Sequence, residues 1–144
     1  MKRRVSGAAL VVLVLATIAG CDVRYEGDDS ITHEFGSDHF GAGGMLNVTE
    51  PVEGDAFLAG GHVATASQVQ GDLVAVGGEV SIGGAVGDDL YAAGGKVQFD
   101  AIVSGNARVA GGDVNVGPAT VVAGGVSLTG GQIVFEGVAH EYLQ

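Results

Sequence analysis

The sequence is organised around a pair of glycines that returns every 17 residues. Five pairs keep this spacing and a sixth comes two positions late: Gly43-Gly44, Gly60-Gly61, Gly77-Gly78, Gly94-Gly95, Gly111-Gly112 and Gly130-Gly131. The longer last interval indicates a two-residue insertion, which we place near Val122-Ala123. A fixed short period of this kind is typical of solenoids, in which each repeat packs only on its neighbours.

Turn-forming residues recur three times within each repeat. One group precedes the first strand, as in Gly71-Asp72; the glycine pair is the second, and the third is exemplified by Gly83-Gly84 and Gly117-Pro118. Glycine reaches positive φ without a Cβ clash, and Asp tolerates the same region. We therefore interpret the three groups as corners of a triangular coil, with the glycine pairs at positive φ.

Short strands with alternating apolar and polar residues lie between these corners. We call the residues at one position of the repeat a column, and number the sides of the triangle in chain order, so that the second side follows the glycine pair. On this side two inward columns alternate with an outward polar column, as in the inward Val63 and Thr65 and the outward His62. The third side carries one inward column: Val52, Val69, Val86, Val103, Thr120 and Ala139. The 27 glycines and many β-branched residues oppose a helical fold. The pattern predicts an all-β, single-stranded triangular β-helix of about six turns over residues 37–140, roughly 29 Å long.

Two stretches of the repeat resemble the bactofilin (polymer-forming cytoskeletal) family, namely Gly71 to Ile82 and Asp89 to Phe99. The resemblance covers about residues 37–140. It implies a right-handed β-helix that assembles end to end into filaments without a nucleotide. Bactofilins typically work in the cytoplasm, whereas this chain begins like an exported protein.

Residues 1–21 have the features of a lipoprotein signal peptide. Lys2, Arg3 and Arg4 precede an apolar stretch that is short for a membrane-spanning helix. The run from Ile18 to Cys21 is similar to a bacterial lipobox. That similarity implies lipidation of the Cys21 thiol and cleavage before it, although an ordinary signal peptide with an incidental Cys is the alternative. A lipidated chain would be exported and held on the extracytoplasmic or periplasmic face of the cell membrane.

Residues 22–36 are acidic and lack the repeat, so we interpret them as a flexible tether. Residues 141–144 form a short tail. Three of the six Lys and Arg residues lie within residues 1–21, so the mature chain sets three bases against 17 acids, a net charge of about −14. This charge argues against binding to nucleic acid.

The sharpest polar feature is a column of aspartates one repeat apart: Asp38, Asp55, Asp72 and Asp89. Stacked carboxylates can share a cation such as Ca²⁺, but Asp next to Gly is also ordinary turn chemistry, which we favour. The four histidines, His33, His39, His62 and His140, share no ligand spacing. Glu53 and Asp55 flank a corner and have no predicted pocket. We therefore predict no catalytic residue, no metal site and no cofactor, although long β-helices also occur among carbohydrate enzymes.

Two functions from different classes remain after these exclusions. The first is a structural or scaffold protein of the envelope that self-assembles end to end. The second is a monomeric solenoid that binds a protein or polysaccharide. A solenoid leaves strand edges open at its two ends, and exposed edges favour pairing with another chain. Pro51 and His39 are mild blockers in the first turn, so we expect the C-terminal end to pair, tail to tail. An outward stripe is the other candidate contact, or is covered by the tether: Phe40, Phe57, Val74 and Tyr91.

The lipid anchor is tested by replacing Cys21 with Ser. We expect the Cys21→Ser protein to lose incorporation of labelled fatty acid and to leave the membrane fraction, because the only thiol of the chain is gone. Its circular dichroism should stay β-rich. Unchanged partitioning of this protein into the detergent phase would contradict the assignment.

Overall fold

Eight strands account for most of residues 30–142, the part of the chain that this computed structural model describes. The strands are β1 (Ser30–Phe35), β2 (Asp38–Val48), β3 (Ala56–Thr65), β4 (Leu73–Val86), β5 (Leu90–Val103), β6 (Ala107–Val116), β7 (Val121–Phe135) and β8 (Val138–Tyr142). From β2 onward each strand pairs in parallel with the next one in the sequence. No helix occurs within residues 30–142, and the predicted β-solenoid of about six turns is confirmed.

Residues that pair between successive turns are one sequence repeat apart, which is 17 positions in most of the coil. Val63 pairs with Val80, and Val80 with Val97, so each residue lies on its equivalent in the preceding repeat. The third side is held by shorter pairings, such as the isolated bridges of Val69 with Val52 and Val86. Equivalent residues therefore form columns along the axis of the solenoid.

The inward columns form one narrow core that runs the length of the coil. Val63, Val80 and Val97 have no exposed surface, and Phe99 is the largest fully buried side chain within residues 30–142. Burying a side chain of this size contributes roughly 1.5–3 kcal/mol relative to leaving it exposed. No single turn encloses such a core, so the stability of each turn depends on its neighbours.

The glycine pairs lie inside strands, and their predicted positive φ is wrong. Only Gly36 and Gly84 have positive φ among the described glycines. The pairs are glycine for a different reason, which is the close approach of successive turns. A Cβ atom on Gly77 would lie 2.6 Å from the carbonyl oxygen of Gly60 in the preceding turn. The missing side chain, and not the freedom of φ, makes glycine necessary there.

The two-residue insertion lies at Pro118-Ala119 and not near Val122-Ala123. Phe99 still pairs with Val116 at the ordinary repeat spacing, whereas Ile102 pairs with Val121, two positions beyond that spacing. Between these pairings the chain makes a tight turn, in which Thr120 N donates to Gly117 O at 3.1 Å. Proline is well suited to the second position of such a turn, so the extra residues are absorbed at a corner.

Thr120 consequently does not fill the inward column on the third side. Val122 takes that position, paired with Val103, and is fully buried. Thr120 is also fully buried, but its hydroxyl is used by the backbone of the preceding turn. Its Oγ1 donates to Phe99 O at 3.2 Å and accepts from Ala101 N at 3.3 Å. These bonds offset the cost of burying a hydroxyl group.

Both ends of the coil carry more strand than the sequence predicts. Residues 30–35, expected within the tether, form β1 and pair antiparallel with β2. The hairpin turns at Gly36, whose φ of 66° suits a two-residue connection. At the other end β8 extends to Tyr142, so the predicted tail begins within a strand. The remainder of the tether, residues 22–29, and the signal peptide lie outside the described residues.

The close approach of the turns is tested by adding one methyl group at two glycines of the repeated pairs. Gly77→Ala places a Cβ against the backbone of the preceding turn and should lower the free energy of unfolding by about 1–3 kcal/mol. Gly44 belongs to the first turn and has nothing within 4 Å of its Cβ position, so Gly44→Ala should be nearly neutral. Equal midpoints for the two variants in urea would contradict this explanation.

Candidate functional site

The aspartate column forms a continuous hydrogen-bonded ladder along one corner of the coil. Each side chain accepts through Oδ1 from the backbone N–H of the equivalent residue in the next turn. The N···O distances are 2.9 Å for Asp55 to Asp38, 2.8 Å for Asp72 to Asp55, 2.8 Å for Asp89 to Asp72, 2.7 Å for Asn106 to Asp89 and 2.9 Å for Gly125 to Asn106. We call these five acceptors, Asp38, Asp55, Asp72, Asp89 and Asn106, the carboxylate ladder.

The aspartates lie at a corner as the turn interpretation predicts, but they bond to the next turn, 17 residues away, and not to their own turn, and none of them has positive φ. A side chain of the previous turn accepts the amide at each ladder position, whereas the amide one residue earlier, such as Gly71 N, donates to the backbone of the previous turn. Bonds from backbone N–H groups to charged oxygens are stronger than those between neutral groups. Asn106 fills the same role with a neutral amide, so the ladder needs an acceptor oxygen at each level and not a negative charge. Within residues 30–142, no group of three His, Cys, Asp or Glu side chains is placed to hold a metal ion.

One member of the ladder has a perturbed acidity. The pKa of Asp89 lies below its usual value, chiefly because the carboxylate accepts a hydrogen bond from the backbone of Asn106. Partial desolvation opposes this effect, while the side chains of Asn106, Tyr91 and Arg108 add to it. Asp89 therefore stays ionised in the folded protein to lower pH than an isolated carboxyl group.

The outward column of the second side carries an ion pair and a histidine beside it. Glu79 lies 3.5 Å from both His62 and Lys96, which belong to the turns before and after it. All three side chains are well exposed, so these pairs contribute little to stability, typically below about 1 kcal/mol each. The column is a solvated face and not a buried site.

The outward stripe of the first side forms two aromatic contacts. The rings of Phe40 and Phe57 stack with centroids 5.1 Å apart, and Phe57 remains 37% exposed. Further along, the guanidinium of Arg108 lies 5.5 Å from the ring centre of Tyr91 and donates to its hydroxyl at 2.9 Å. Residues 30–35 were assigned to the tether, which was expected to cover this stripe. They form β1 instead, which extends the sheet along the edge of β2 and does not cover the stripe.

The C-terminal end of the coil has an open strand edge. Residues 130–135 pair with β6 on one side and have no partner on the other among the described residues. Alternate residues of a parallel strand bond to the same neighbour. Glu136 N donates to Val116 O, so the backbone groups of Ile133 and Phe135 face the open end. Ile133 and Val134 are 42% and 41% exposed there.

The N-terminal end is open over a shorter stretch. β1 covers Asp38–Gly43 of β2, and no described strand covers residues 44–48. Ala66 N donates to Val48 O, so by the same alternation the backbone groups of Met45 and Asn47 face outward at this end. The antiparallel β1 ends the run of parallel strands on the first side.

The structure does not bring the other candidate residues together into a catalytic group. His33 lies on β1, His39 on β2, His62 on the outward column of β3 and His140 on β8. Glu53 is exposed beside a corner, and Asp55 belongs to the carboxylate ladder. Cys21 lies outside the described residues. An open strand edge was expected at this end, but β1, which covers part of it, was missed because residues 30–35 lie outside the repeat.

In residues 30–142 there is no helix of the length and hydropathy that a membrane span requires. Comparisons of the whole chain with protein-family models, with curated proteins and with solved structures found no match.

The carboxylate ladder is tested by removing one acceptor. Asp72→Ala leaves the amide of Asp89 without its partner and should lower the free energy of unfolding by about 1–3 kcal/mol. Asp72→Asn keeps an acceptor oxygen, as Asn106 does, and should retain most of the wild-type stability. Asp113→Ala, on the outward column, is the matched control and should be near neutral. A loss in Asp72→Asn as large as in Asp72→Ala would show that the charge matters more than the hydrogen bond.

The acidity of Asp89 predicts a pH dependence. Its pKa is lowered by folding, so its contribution to stability is present above the usual carboxyl pKa and is lost as pH falls through the folded-state value. The difference in unfolding free energy between wild type and Asp89→Asn should therefore be constant near neutral pH and should change in favour of Asp89→Asn below about pH 4. Urea midpoints from pH 7 to pH 3 measure it, and a difference that stays constant throughout would contradict the assignment.

Proposed function

We propose that this chain is a non-enzymatic structural protein of the cell envelope, anchored by a lipid on Cys21, that self-assembles end to end. The observation that carries the proposal is the open edge of residues 130–135, with its exposed Ile133 and Val134. Exposed strand edges with apolar side chains pair readily with another chain. The resemblance to bactofilins in the repeat points to the same function.

The sides of the coil are poorly suited to self-association, which favours assembly through its ends. Backbone groups along the sides are used between turns, as in the bonds from Val69 N to Ala85 O and from Gln70 N to Val52 O. The mature chain is strongly acidic, with 17 Asp and Glu in the whole sequence, so identical rods repel one another side by side at low salt. Within residues 30–142, the two ends are where free backbone groups and apolar side chains occur together.

The C-terminal end is the better of the two for self-association. Two copies of residues 130–135 related by a two-fold axis would run antiparallel, a geometry in which Ile133 and Phe135 donate and accept across the contact. The lipid lies before the other end of the chain. The eight residues 22–29 span at most roughly 28 Å. A tail-to-tail pair would therefore carry one anchor at each of its two far ends.

The second candidate function is a monomeric binding module, and one surface feature favours it. A shallow groove of about 280 Å³ lies on the outer face of the first side, between Val74 and Ser127. Tyr91 and Arg108 line it. An aromatic ring beside a guanidinium is suited to a protein or polysaccharide ligand.

A pair of valine substitutions separates these two functions. In the chain lacking residues 1–21, Val134→Lys places a charge at the open edge, and Val76→Lys places the same charge at an exposed valine on the side. Sedimentation at physiological salt should show oligomers for wild type and Val76→Lys, and at least a tenfold weaker association for Val134→Lys. Circular dichroism should be alike for all three. A wild type that stays monomeric at high concentration, or equal association of the two variants, would favour the binding module.

A further inference from the structure

The N-terminal end of the coil contains a cavity of about 410 Å³, which we call the N-terminal mouth. Leu46, Val48 and Val52 line its apolar part, and each of these side chains is less than 9% exposed. The cavity lies where a preceding turn would continue the core. Another segment of extended chain placed there would continue the coil.

The polar lining of the mouth is acidic. Glu34, Asp38, Glu50 and Glu53 line it, and no Lys or Arg is among the described residues that do so. Four carboxylates around one opening produce a negative potential that favours a cationic ligand. The same charges disfavour a second copy of this end, because its mouth is equally acidic. They also disfavour residues 22–29, which contain four acids and one base.

A free backbone edge runs beside the mouth. Met45 and Asn47 direct their N–H and C=O groups toward the open end, and no described strand pairs with them there. The side chains of Met45 and Asn47 are themselves exposed. Addition of an extended peptide to such an edge is a common mode of recognition, in which backbone bonds give affinity and side-chain sites give selectivity.

A histidine gives the mouth a further polar group. His39 lines the mouth and takes an inward position that Ala56 and Leu73 occupy in the next two turns. Its Nε2 atom is buried and has no hydrogen-bond partner among the described residues.

We propose that the N-terminal mouth binds an extended cationic peptide segment of a partner protein. The peptide adds as a strand along residues 44–48, places alternate apolar side chains over Leu46 and Val48, and directs Lys or Arg side chains at Glu50 and Glu53. This site is at the opposite end from the edge proposed for self-association, so it stands or fails independently of the proposed function.

The test uses the chain lacking residues 1–21 and fluorescent peptides long enough to span the open edge. The first peptide alternates Lys with Val, the second alternates Glu with Val, and the third is the Lys peptide with alternate backbone nitrogens methylated. Fluorescence anisotropy should show binding of the first peptide only. Amide hydrogen exchange at Met45 and Asn47 should slow when it binds, while Ile133 and Phe135 are unchanged.

Charge reversal locates the site. Glu50→Lys with Glu53→Lys should weaken binding of the Lys peptide at least tenfold. The control, Asp113→Lys with Glu136→Lys, makes the same change in net charge at positions outside the mouth and should weaken it less than threefold. Equal weakening by the two pairs, equal binding of the methylated peptide, or no binding of the Lys peptide would each overturn the proposal.

Discussion

Backbone hydrogen bonding between successive turns is the interaction on which the rest of this structure depends. A single turn encloses too little apolar surface to be stable alone, and it acquires a core only when equivalent residues stack on it. The register Val63, Val80 and Val97 places fully buried valines above one another. The same stacking brings backbone so close to backbone at Gly60 and Gly77 that no side chain fits between the turns.

At the corners the strands are interrupted, and the carboxylate ladder supplies hydrogen bonds between successive turns at one of them. The regular strand pairing stops there, and at that corner the amide at each ladder position is accepted by a side chain and not by a carbonyl group. The oxygen of Asp55 receives the amide of Asp72, and the pattern repeats until Asn106 receives Gly125. The last step shows that the repeat keeps a hydrogen-bond acceptor and not a charge. Pro118-Ala119, in contrast, is accommodated where Thr120 supplies the missing backbone contacts.

Much of the fold is visible in the sequence because one contact repeats at one spacing. The inward valines and the spacing of the aspartate column were predicted correctly for that reason, whereas the bonds from each aspartate to the next turn were not predicted. A glycine can be required for its positive φ or for its lack of a Cβ atom, and the sequence does not distinguish the two. Positive φ was predicted for Gly77, whereas the structure requires the lack of a Cβ atom there. Thr120 is β-branched and was therefore assigned to the inward column of the third side. The insertion was consequently placed after Thr120 and not before it. Strand β1 is antiparallel and outside the period, so the repeat carried no sign of it or of the cavity beside it.

The two ends of the coil are chemically different, and this difference is the centre of the functional account. The C-terminal edge exposes apolar side chains, whereas the N-terminal opening is partly covered by β1 and ringed with acids. Amide hydrogen exchange of the chain lacking residues 1–21, measured over a range of protein concentrations, tests this most directly. The account predicts that Ile133 and Phe135 exchange quickly in dilute protein and become protected as concentration rises, while Met45 and Asn47 do not change. Exchange at Ile133 and Phe135 that is independent of concentration would contradict it.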